Sequence, residues 1–405
     1  MQKIVIITSG QPSANPRAVK EATLLFQKGY RVTFIYCPIS PWADEFDKNL
    51  FKEFTGIRWI SVGYHPEKNK IGFLYARVRK KYFSFVAPLL CNRFDANIKA
   101  TVLFAQELAN EAQKHKANLY IGHNLGAIAA TYKAANKHEA RAAFDAEDFH
   151  RGEIKAPLNA IIISIENTYF PLMNYCTVAS PLIGQAYQQL FPSQIFTVIN
   201  NVFSVKYLKK SSAHKESNSL SLFWFSQFIG VNRGIETVLQ AINECNELDI
   251  KLHLLGNVQT GYKNQLLSIL YDKEKLVFIE PLPLSDIFNT AAKYDVGLAT
   301  EVPDTANRNF CLTNKIFTYL LAGNALVLSN TQAQSNFVEK YEGVGLLYQS
   351  GNSKALAELL KNLYHNKALL NNMKANAANL AKTTLNWETE GELFVNVVKM
   401  AILRK

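Results

Sequence analysis

The chain has 405 residues, of which 48% are hydrophobic and 19% charged, and its formal net charge is +11. This length exceeds what one hydrophobic core serves and indicates two domains of roughly 200 residues each. The composition excludes a disordered chain, and the positive charge favours an anionic partner: a membrane, a nucleotide or a nucleic acid.

The cysteines and the apolar runs exclude several other classes of protein. Five scattered cysteines show neither CxxC nor Cys/His spacing, which argues against a disulfide framework or a zinc site and fits a reducing cytosol. They are Cys37, Cys91, Cys176, Cys245 and Cys311. The opening MQKIVIITSG reads as a strand and not as a signal peptide, and no apolar run reaches the ~20 residues of a membrane-spanning helix. We therefore expect a cytoplasmic protein.

The first 36 residues predict the start of a doubly wound α/β domain. KIVIIT reads as a buried strand, a loop with Ser9 and Gly10 follows, a helix begins near Asn15, and RVTFIY is the next strand. Ligands of such folds bind at the carboxyl ends of the strands, which makes Ser9 and Gly10 candidate site residues. The Gly-x-Gly-x-x-Gly fingerprint is absent, so dinucleotide binding is not predicted.

Residues 66–94 interleave basic and aromatic side chains. The basic residues are Lys68, Lys70, Arg77, Arg79, Lys80, Lys81 and Arg93, and the large apolar ones include Phe73, Leu74, Tyr75, Tyr82, Phe83 and Phe85. Three interpretations fit this pattern: an amphipathic segment on anionic lipid, a single-stranded nucleic-acid groove, and a solvated helix whose aromatic residues face the core. Residues 98–115 predict one long amphipathic helix.

Two polar clusters follow predicted strands in the first half of the chain. His123 ends the strand NLYIG, and residues 145–150, which end the strand RAAFD, hold three carboxylates and a histidine. Such a cluster suits a general base or the orientation of sugar hydroxyls, although Asp and Glu also favour the first turn of a helix. The candidate catalytic residues are His123, Asp145, Asp148 and His150, and metal binding stays an alternative without strong support from spacing.

The strand–loop–helix order restarts after a lysine- and serine-rich stretch, residues 205–219, which we interpret as an interdomain linker. The strand LSLFWF is followed by a loop in which Gly230 lets the backbone approach a phosphate and Arg233 supplies a cation. Gly256 follows the next strand and joins these candidates. We expect this second domain to bind an anionic ligand.

The stretch NRNFCLTNKIFTYLLAGNALVLSN, residues 307–330, predicts a polar loop, a helix that begins at Asn314, and a buried strand. Gly323 ends the helix. The helix N-terminus is an anion site to which Lys315 adds a charge. The alternative is an ordinary strand–helix–strand connection with a surface lysine.

Five segments in this order resemble the two-domain GT-B glycosyltransferases, specifically the large retaining family that uses nucleotide sugars, family 4. They are ITSGQPSANPRAVKEA, SPLIGQAYQQLFP with FTVINNVF, WFSQFIGVNRGIETVLQAI, FIEPLPLSDIFNTAAKYDVGLA and TNKIFTYLLAGNALVLSN. The resemblance covers essentially the whole chain. It implies an α/β fold with two doubly wound Rossmann-like domains facing across a cleft, residues 1–204 and 220–385, and a last helix, residues 386–405, that returns to the first domain.

The resemblance also implies roles for single residues. The Gly10 loop would face the donor diphosphate and the acceptor, and Asp145 would lie beside the reacting sugar carbon. Gly230 and Arg233 would bind the diphosphate. Leu282 falls where backbone groups read the nucleotide base, and Asn314 and Lys315 match the helix start below the phosphates.

One departure from the family concerns its Glu-x7-Glu motif. The positions of the two glutamates hold Phe310 and Thr318 here. A threonine hydroxyl still bonds a ribose hydroxyl, but more weakly than a carboxylate does, and phenylalanine binds no sugar hydroxyl. Either the sugar is held differently, by residues 307–309, or catalysis is lost and binding is kept.

The function expected from the resemblance is metal-independent transfer of a sugar, with retention, from a nucleoside-diphosphate sugar to a membrane-associated or polysaccharide acceptor. No cofactor is expected beyond this donor substrate, and no nucleic-acid partner. The enzyme would act at the inner face of the membrane, where residues 66–94 contact anionic lipid. The alternatives are a catalytically silent binding protein and a sugar-nucleotide epimerase.

Overall fold

The computed structural model describes residues 1–90, 95–156, 159–208 and 218–403. Within these ranges the chain forms two compact units. Unit 1 comprises residues 1–199 and the chain from Gly391, and unit 2 comprises residues 200–390. Of the predicted linker, Val205–Tyr207 forms a short 3-10 turn, and residues 209–217 lie outside the described residues, as do Cys91 and Arg93.

Unit 1 is built around a parallel sheet of seven described strands in the order β3-β2-β1-β4-β5-β6-β7. The strands are β1 Lys3–Thr8, β2 Arg31–Tyr36, β3 Arg58–Ser61, β4 Leu119–His123, β5 Arg141–Ala146, β6 Tyr175–Val178 and β7 Phe196–Val198. The helices are α1 Pro16–Gln27, α2 Asp44–Glu53, α3 Lys70–Leu90, α4 Ala96–Thr101, α5 Ala105–Ala112, α6 Ile128–Lys137, α7 Ala160–Tyr169 and α8 Pro181–Leu190.

Unit 2 has a parallel sheet of six described strands in the order β10-β9-β8-β11-β12-β13. The strands are β8 Leu220–Ile229, β9 Ile250–Val258, β10 Leu276–Ile279, β11 Val296–Ala299, β12 Ala325–Ser329 and β13 Gly345–Tyr348. The helices are α9 Ile235–Asn243, α10 Thr260–Ile269, α11 Leu284–Ala291, α12 Ala306–Phe310, α13 Asn314–Ala322, α14 Gln332–Lys340, α15 Ser353–His365 and α16 Lys367–Thr383. The last helix, α17 Trp387–Leu403, belongs to unit 1 from Gly391 onwards.

The central strands are apolar because both faces of each sheet are covered. All residues of β4, β11 and β12 are buried, as the sequence pattern of uninterrupted apolar runs predicts for parallel strands. In each unit the order of the strands reverses once, between β1 and β4 in unit 1 and between β8 and β11 in unit 2. The loops at the carboxyl ends of these strand pairs are where doubly wound folds bind ligands.

The structure corrects two predictions of local structure and adds two elements that the sequence analysis left out. Residues 98–115 do not form one helix, because Val102 takes an extended conformation that separates α4 from α5. The polar stretch that begins at Asn307 is not an irregular loop throughout, because α12 forms within it and Thr305 caps that helix. The sequence analysis also left out α2 and β3, which the structure places between β2 and α3.

The helix predicted from Asn314 forms as α13, and it ends at Gly323 in a left-handed conformation with a φ of 70°. A helix with the length and apolar content of a bilayer span is absent from the described part of the chain.

Candidate functional site

Four polar side chains lie side by side across the sheet of unit 1. Thr8, His123, Asp145 and Thr177 are in register on β1, β4, β5 and β6. Residues in register on neighbouring parallel strands point to the same face of the sheet. At most 1% of each residue is exposed, so this polar row is buried near the carboxyl edge of the sheet.

Arg17 of α1 supplies the positive charge for this row. Its Nε and Nη2 donate to the two carboxylate oxygens of Asp145 at 2.7 and 2.8 Å, and Thr177 Oγ1 donates to the same carboxylate at 2.6 Å. Arg17 Nη1 donates to the carbonyl of Ile199 at 2.7 Å. A buried charge is tolerated when such a set of partners replaces the lost water.

His123 joins the same network from β4. Its Nε2 lies 3.0 Å from a carboxylate oxygen of Glu21, and its Nδ1 lies 3.3 Å from Asp145. Burial by itself lowers the pKa of His123, but the two carboxylates outweigh it and raise the pKa to about 10. For Asp145 burial acts in the opposite direction, and Arg17 and His123 still hold its pKa well below the usual range. Both side chains are therefore charged at neutral pH.

Glu21, His123 and Asp145 together offer three ligand atoms within 4.8 Å of one another. A divalent cation fits poorly among them. The guanidinium of Arg17 already binds both oxygens of Asp145 and lies 3.9 Å from Glu21, so that a metal ion would meet a fixed positive charge. The two carboxylates are neutralised by Arg17 and His123, and the set reads as an internal ion-pair network.

Glu147 follows β5 directly and is only partly buried, unlike Asp145. Its pKa is raised to about 7 by desolvation and by the charges of Asp145 and Asp148, against the opposing effect of Arg17. On α1, desolvation and the charge of Arg17 lower the pKa of Lys20 to about 7. Groups that titrate near neutrality at the carboxyl edge of a parallel sheet are suited to proton transfer. The sequence analysis placed Glu147 in the cluster of residues 145–150 but did not name it as a candidate catalytic residue.

His150 belongs to a second network. Its Nδ1 lies 2.9 Å from a carboxylate oxygen of Glu153, and its backbone N–H donates to the hydroxyl of Tyr187 at 2.9 Å. Tyr187 in turn donates to the buried carboxylate of Glu166 at 2.7 Å. The structure therefore brings His123 and Asp145 together and places His150 apart from them, and the catalytic roles of all four candidates, Asp148 included, stay predictions.

The loop after β1 borders the reversal point of unit 1. Thr8 Oγ1 donates to the side-chain oxygen of Asn124 at 2.6 Å, which joins the ends of β1 and β4. A Cβ built on Gly10 would meet no atom within 4 Å, so the backbone there faces open space. This is the position at which the sequence predicted a ligand-facing glycine.

In unit 2, hydrogen bonds join the loop after β8 to the loop after β11. Thr300 Oγ1 donates to the carbonyl of Arg233 at 2.5 Å and accepts from the indole of Trp224 at 3.2 Å. Gly234 has a φ of 74°, and a Cβ there would lie 2.3 Å from the carbonyl oxygen of Thr300. Only glycine permits this close approach. Gly230, by contrast, has open space around it.

Arg233 and Lys315 differ in how much of their charge is available. Arg233 is partly exposed and has no ion-pair partner among the described residues. Lys315 is buried, its Nζ lies 2.6 Å from a carboxylate oxygen of Glu301, and it lies over the ring of Trp224. Burial raises the pKa of Glu301, but Lys315 and a hydrogen bond from Gln334 outweigh it and lower the pKa below the usual value.

The sequence analysis missed Glu301 and Arg17, and each is the partner of a residue that it singled out. Arg17 and Glu21 stand one turn apart on α1 beside the buried Ala18 and Ala22. Charges within the apolar face of a helix are the signal that points to a buried pair.

The start of α13 keeps unsatisfied polar groups. Its N-cap residue Thr313 makes no capping hydrogen bond, and the buried Thr313 Oγ1 has no hydrogen-bond partner in the described residues. Asn314 is exposed at this end. The first backbone N–H groups of a helix lack partners within the helix, so the end of α13 can receive an anion.

The remaining residues that were predicted to bind the nucleotide sugar differ in their surroundings. Thr318 is buried, and its hydroxyl donates to the carbonyl of Asn314 at 3.0 Å within α13. Leu282 packs against the apolar cluster that includes Phe317. Gly256 has a φ of 145°, and a Cβ there would lie 2.1 Å from the carbonyl oxygen of Ser226, so this glycine serves a close approach between β9 and β8. Their roles in binding stay predictions.

We expect replacement of His123 by glutamine to flatten the dependence of stability on pH. Because the folded state holds the proton of His123 more tightly than the unfolded chain does, this contribution is complete below about pH 6.5 and is lost as the pH rises toward about 10. Urea unfolding from pH 6 to 9 should show the free energy of unfolding falling more steeply in the wild type than in His123→Gln. The exposed His365→Gln is the control, and equal slopes for His123→Gln and the wild type would contradict the ion-pair network.

We expect Arg17→Lys to destabilise unit 1 by about 3 kcal/mol, because an ammonium cannot replace the bidentate contact with Asp145 and also reach Ile199. The exposed Arg58→Lys is the matched control and should change stability by less than about 0.5 kcal/mol. Chemical unfolding followed by circular dichroism measures both. Similar midpoints for the two variants would show that the network contributes little.

Comparison with known proteins gives likeness of structure only. No protein-family model matches the sequence, and neither does any curated protein. Among solved structures, a glycosyltransferase from Rickettsia africae is similar to the chain with a TM-score of 0.70 and 13% identity, covering 100% of this chain and 99% of that one.

Two further structures are similar over the same extent. Anabaena Alr3699/HepE in complex with UDP and glucose has a TM-score of 0.70 at 16% identity, covering 99% of this chain and 100% of that one. Sucrose-phosphate synthase from Thermosynechococcus elongatus has a TM-score of 0.74 at 11% identity and covers 100% of both chains. Together with the two parallel sheets and their flanking helices, these likenesses show that the chain has the GT-B fold of glycosyltransferases.

Proposed function

We propose that the chain is a glycosyltransferase that moves a sugar from a nucleoside-diphosphate sugar to a membrane-associated or surface-polysaccharide acceptor, with retention of configuration and without a metal ion. The observation that carries this proposal is the reversal point of unit 2. There Arg233, which lacks an ion-pair partner in the described part of the chain, and the open backbone at Gly230 lie on the loop after β8, and Thr300 joins this loop to the end of β11. HepE, a neighbour in structure, has been crystallised with UDP and with UDP-glucose.

The leaving diphosphate gains negative charge as the glycosidic bond breaks, and Arg233 with the N-terminal N–H groups of α13 would stabilise it. Lys315 acts differently, because Glu301 neutralises it. Its role in the proposed site is to fix the start of α13 beside the end of β11. In this proposal, Arg233 and the backbone N–H groups stabilise the negative charge that a metal ion stabilises in other transferases.

The missing glutamate pair bears on how the sugar is held. Within residues 307–309, Arg308 binds Asp304 and the carbonyl of Asn232, and Asn309 accepts from the backbone of Gln332. Because these side chains already bind other parts of the chain, and both carboxylate oxygens of Glu301 bind Lys315 and Gln334, we assign the donor sugar to backbone groups. A catalytically silent GT-B protein is the second candidate, favoured by Phe310 and by the internally bonded Thr318. A sugar-nucleotide epimerase would release its product without an acceptor.

Proton transfer in the proposed reaction falls to the cluster after β5. We keep Asp145, Asp148, His123 and His150 as the candidate residues and add Glu147, which is more accessible than Asp145 and titrates near neutrality. In this arrangement His123 and Asp145 position the end of β5, because their polar atoms bind one another and Arg17.

Helix α3 is the surface that we propose for membrane contact. Seven large apolar side chains with exposed fractions of 58–86% recur along the helix at intervals of three or four residues, apart from the adjacent Leu74 and Tyr75. They are Ile71, Leu74, Tyr75, Val78, Tyr82, Phe85 and Leu89. The opposite face of α3 packs on unit 1 through the buried Ala76 and Ala87, and Arg79 binds both carboxylate oxygens of Glu107 at 2.8 Å. The apolar stripe is therefore turned outward by the fold.

The charge beside this stripe favours anionic lipid. No acidic residue occurs between Glu67 and Asp95, whereas Lys70, Arg77 and Lys81 are exposed. Basic residues near an anionic surface contribute about 1 kcal/mol each to binding, and aromatic side chains favour the lipid–water boundary. The nucleic-acid interpretation of residues 66–94 lacks a known binding module.

We expect Arg233→Ala to weaken UDP binding at least tenfold with little change in stability, because no residue that the structure describes forms an ion pair with Arg233. Lys315→Met should instead lower stability by about 3 kcal/mol, since the buried Glu301 loses its partner. Calorimetry with UDP and urea unfolding separate the two effects. The control is the exposed Lys251→Ala. Unchanged UDP affinity and unchanged transfer from UDP-sugars in Arg233→Ala would remove the proposed diphosphate site.

We expect Val78→Asp and Phe85→Asp to abolish sedimentation of the protein with vesicles of phosphatidylcholine and phosphatidylglycerol, since each buries a carboxylate in the lipid boundary. Wild-type binding should weaken as salt rises, because the lysines and arginines act through screened charge. Tyr271→Asp alters a residue of unit 2 that is 80% exposed and serves as the control. Equal sedimentation of all three variants would show that α3 does not contact the lipid.

A further inference from the structure

Outside α3, unit 1 exposes a pair of aromatic rings. Trp42 stands in the 3-10 turn Pro41–Ala43 that follows β2, and Phe46 stands in the first turn of α2. Their exposed fractions are 51% and 52%, and their ring centroids lie 6.3 Å apart with the planes at 66°. Large apolar side chains exposed in contact with each other are a feature of binding surfaces.

The backbone beneath the two rings is held on several sides. The buried Asp47 accepts hydrogen bonds from Gln11 Nε2 at 3.0 Å and from the backbone N–H of Ser13 at 2.8 Å. Gln11 also accepts from the backbone N–H of Ser40 at 2.6 Å, and Ala43 between the rings is completely buried. These hydrogen bonds form a frame that fixes the backbone carrying the two rings, and a fixed backbone loses less entropy when a ligand binds.

A partly exposed carboxylate lies between the two rings along the chain. Asp44 accepts from Gln11 Nε2 at 3.1 Å and binds His65 Nε2 at 2.9 Å, and a quarter of its side chain remains exposed. The frame thus joins the loops after β1, β2 and β3, which all leave the carboxyl edge of the sheet. Ligands of doubly wound folds bind at this edge.

The charge around the rings differs from that of α3. Asp44 pairs with His65 and Lys68, Glu45 pairs with Lys48, and Asp47 is buried, so this segment has no excess of positive charge, whereas α3 contains only basic charges. A surface without excess positive charge does not attract anionic lipid or anionic glycans. The chemistry that suits two aromatic faces beside a carboxylate is that of an uncharged sugar: its C–H groups pack on the negative faces of the rings, and its hydroxyls donate to carboxylate oxygens.

We propose that Trp42 and Phe46, with Asp44, form a binding site for an uncharged sugar ring of the acceptor. The identification of the sugar as acceptor rests on the proposed function, whereas the binding of the sugar itself does not. The site contributes to binding and specificity and takes no part in bond breaking.

The test titrates the protein with short uncharged oligosaccharides, namely cello-, malto- and chito-oligosaccharides, by calorimetry and by tryptophan fluorescence. Trp42 is the most exposed of the four tryptophans, so the wild type should show a change in fluorescence on binding. Trp42→Ala and Phe46→Ala should each weaken the binding about fivefold or more. Tyr271→Ala, which removes a ring that is 80% exposed in unit 2, should leave it unchanged. In transfer assays the two ring variants should raise the acceptor KM and leave the donor KM unaltered.

Three results would overturn the proposal: no uncharged oligosaccharide binds the wild type at millimolar concentration, the ring variants bind as the wild type does, or Trp42→Ala loses binding to anionic vesicles instead of sugar. UDP affinity, measured on the same samples, keeps the two proposals apart. A protein that binds sugar through Trp42 but binds no UDP would refute the donor site and leave the sugar site standing. Because both rings are half exposed, the variants should keep the melting temperature of the wild type, and this is checked first.

Discussion

The buried ion pair between Arg17 and Asp145 is the interaction on which the arrangement of unit 1 depends. A carboxylate in the middle of a parallel sheet is tolerated only if every lone pair finds a donor, and Arg17 and Thr177 supply these donors. The third bond of the guanidinium reaches the carbonyl of Ile199, the last residue of unit 1 before the chain enters unit 2. One side chain therefore fixes α1, β5 and the exit of the chain relative to one another.

The sequence alone predicts the fold and part of the ion-pair network around Arg17. Buried strands read as apolar runs, and residues at the carboxyl ends of neighbouring strands must meet, which is why His123 and Asp145 were predicted together. The partners on helices were not predictable in the same way, because the contact of Arg17 spans 128 residues and depends on which face of α1 is buried. The break between α4 and α5 also has a tertiary cause: Arg79 of α3 donates to the carbonyl of Leu103 there and satisfies it outside a helix.

The sequence motif at α13 was interpreted as a free lysine below a phosphate, whereas the structure pairs Lys315 with Glu301. Near the reversal point of unit 2, Arg308 pairs with Asp304 and Lys315 pairs with Glu301, which leaves the single positive charge of Arg233 among these five side chains. A diphosphate carries more negative charge than this. In the proposed donor site, helix dipoles and backbone N–H groups would have to stabilise the remaining charge, and their contribution would grow as the leaving group develops its charge.

The excess of positive charge in the chain is also unevenly placed within unit 1. Helix α3 is basic and apolar, whereas the segment with Trp42 and Phe46 is aromatic and has no excess of positive charge. The two are neighbours, because Asp44 pairs with His65 and Lys68 just before α3 begins. A lipid-linked acceptor also consists of two parts with different chemistry. Its anchor is anionic and apolar, and its uncharged sugar extends away from the bilayer. A helix lying in the headgroups would hold the neighbouring ring pair close to the membrane surface. The different chemistry of the two surfaces would then give the acceptor one orientation, with the anchor at α3 and the sugar at Trp42.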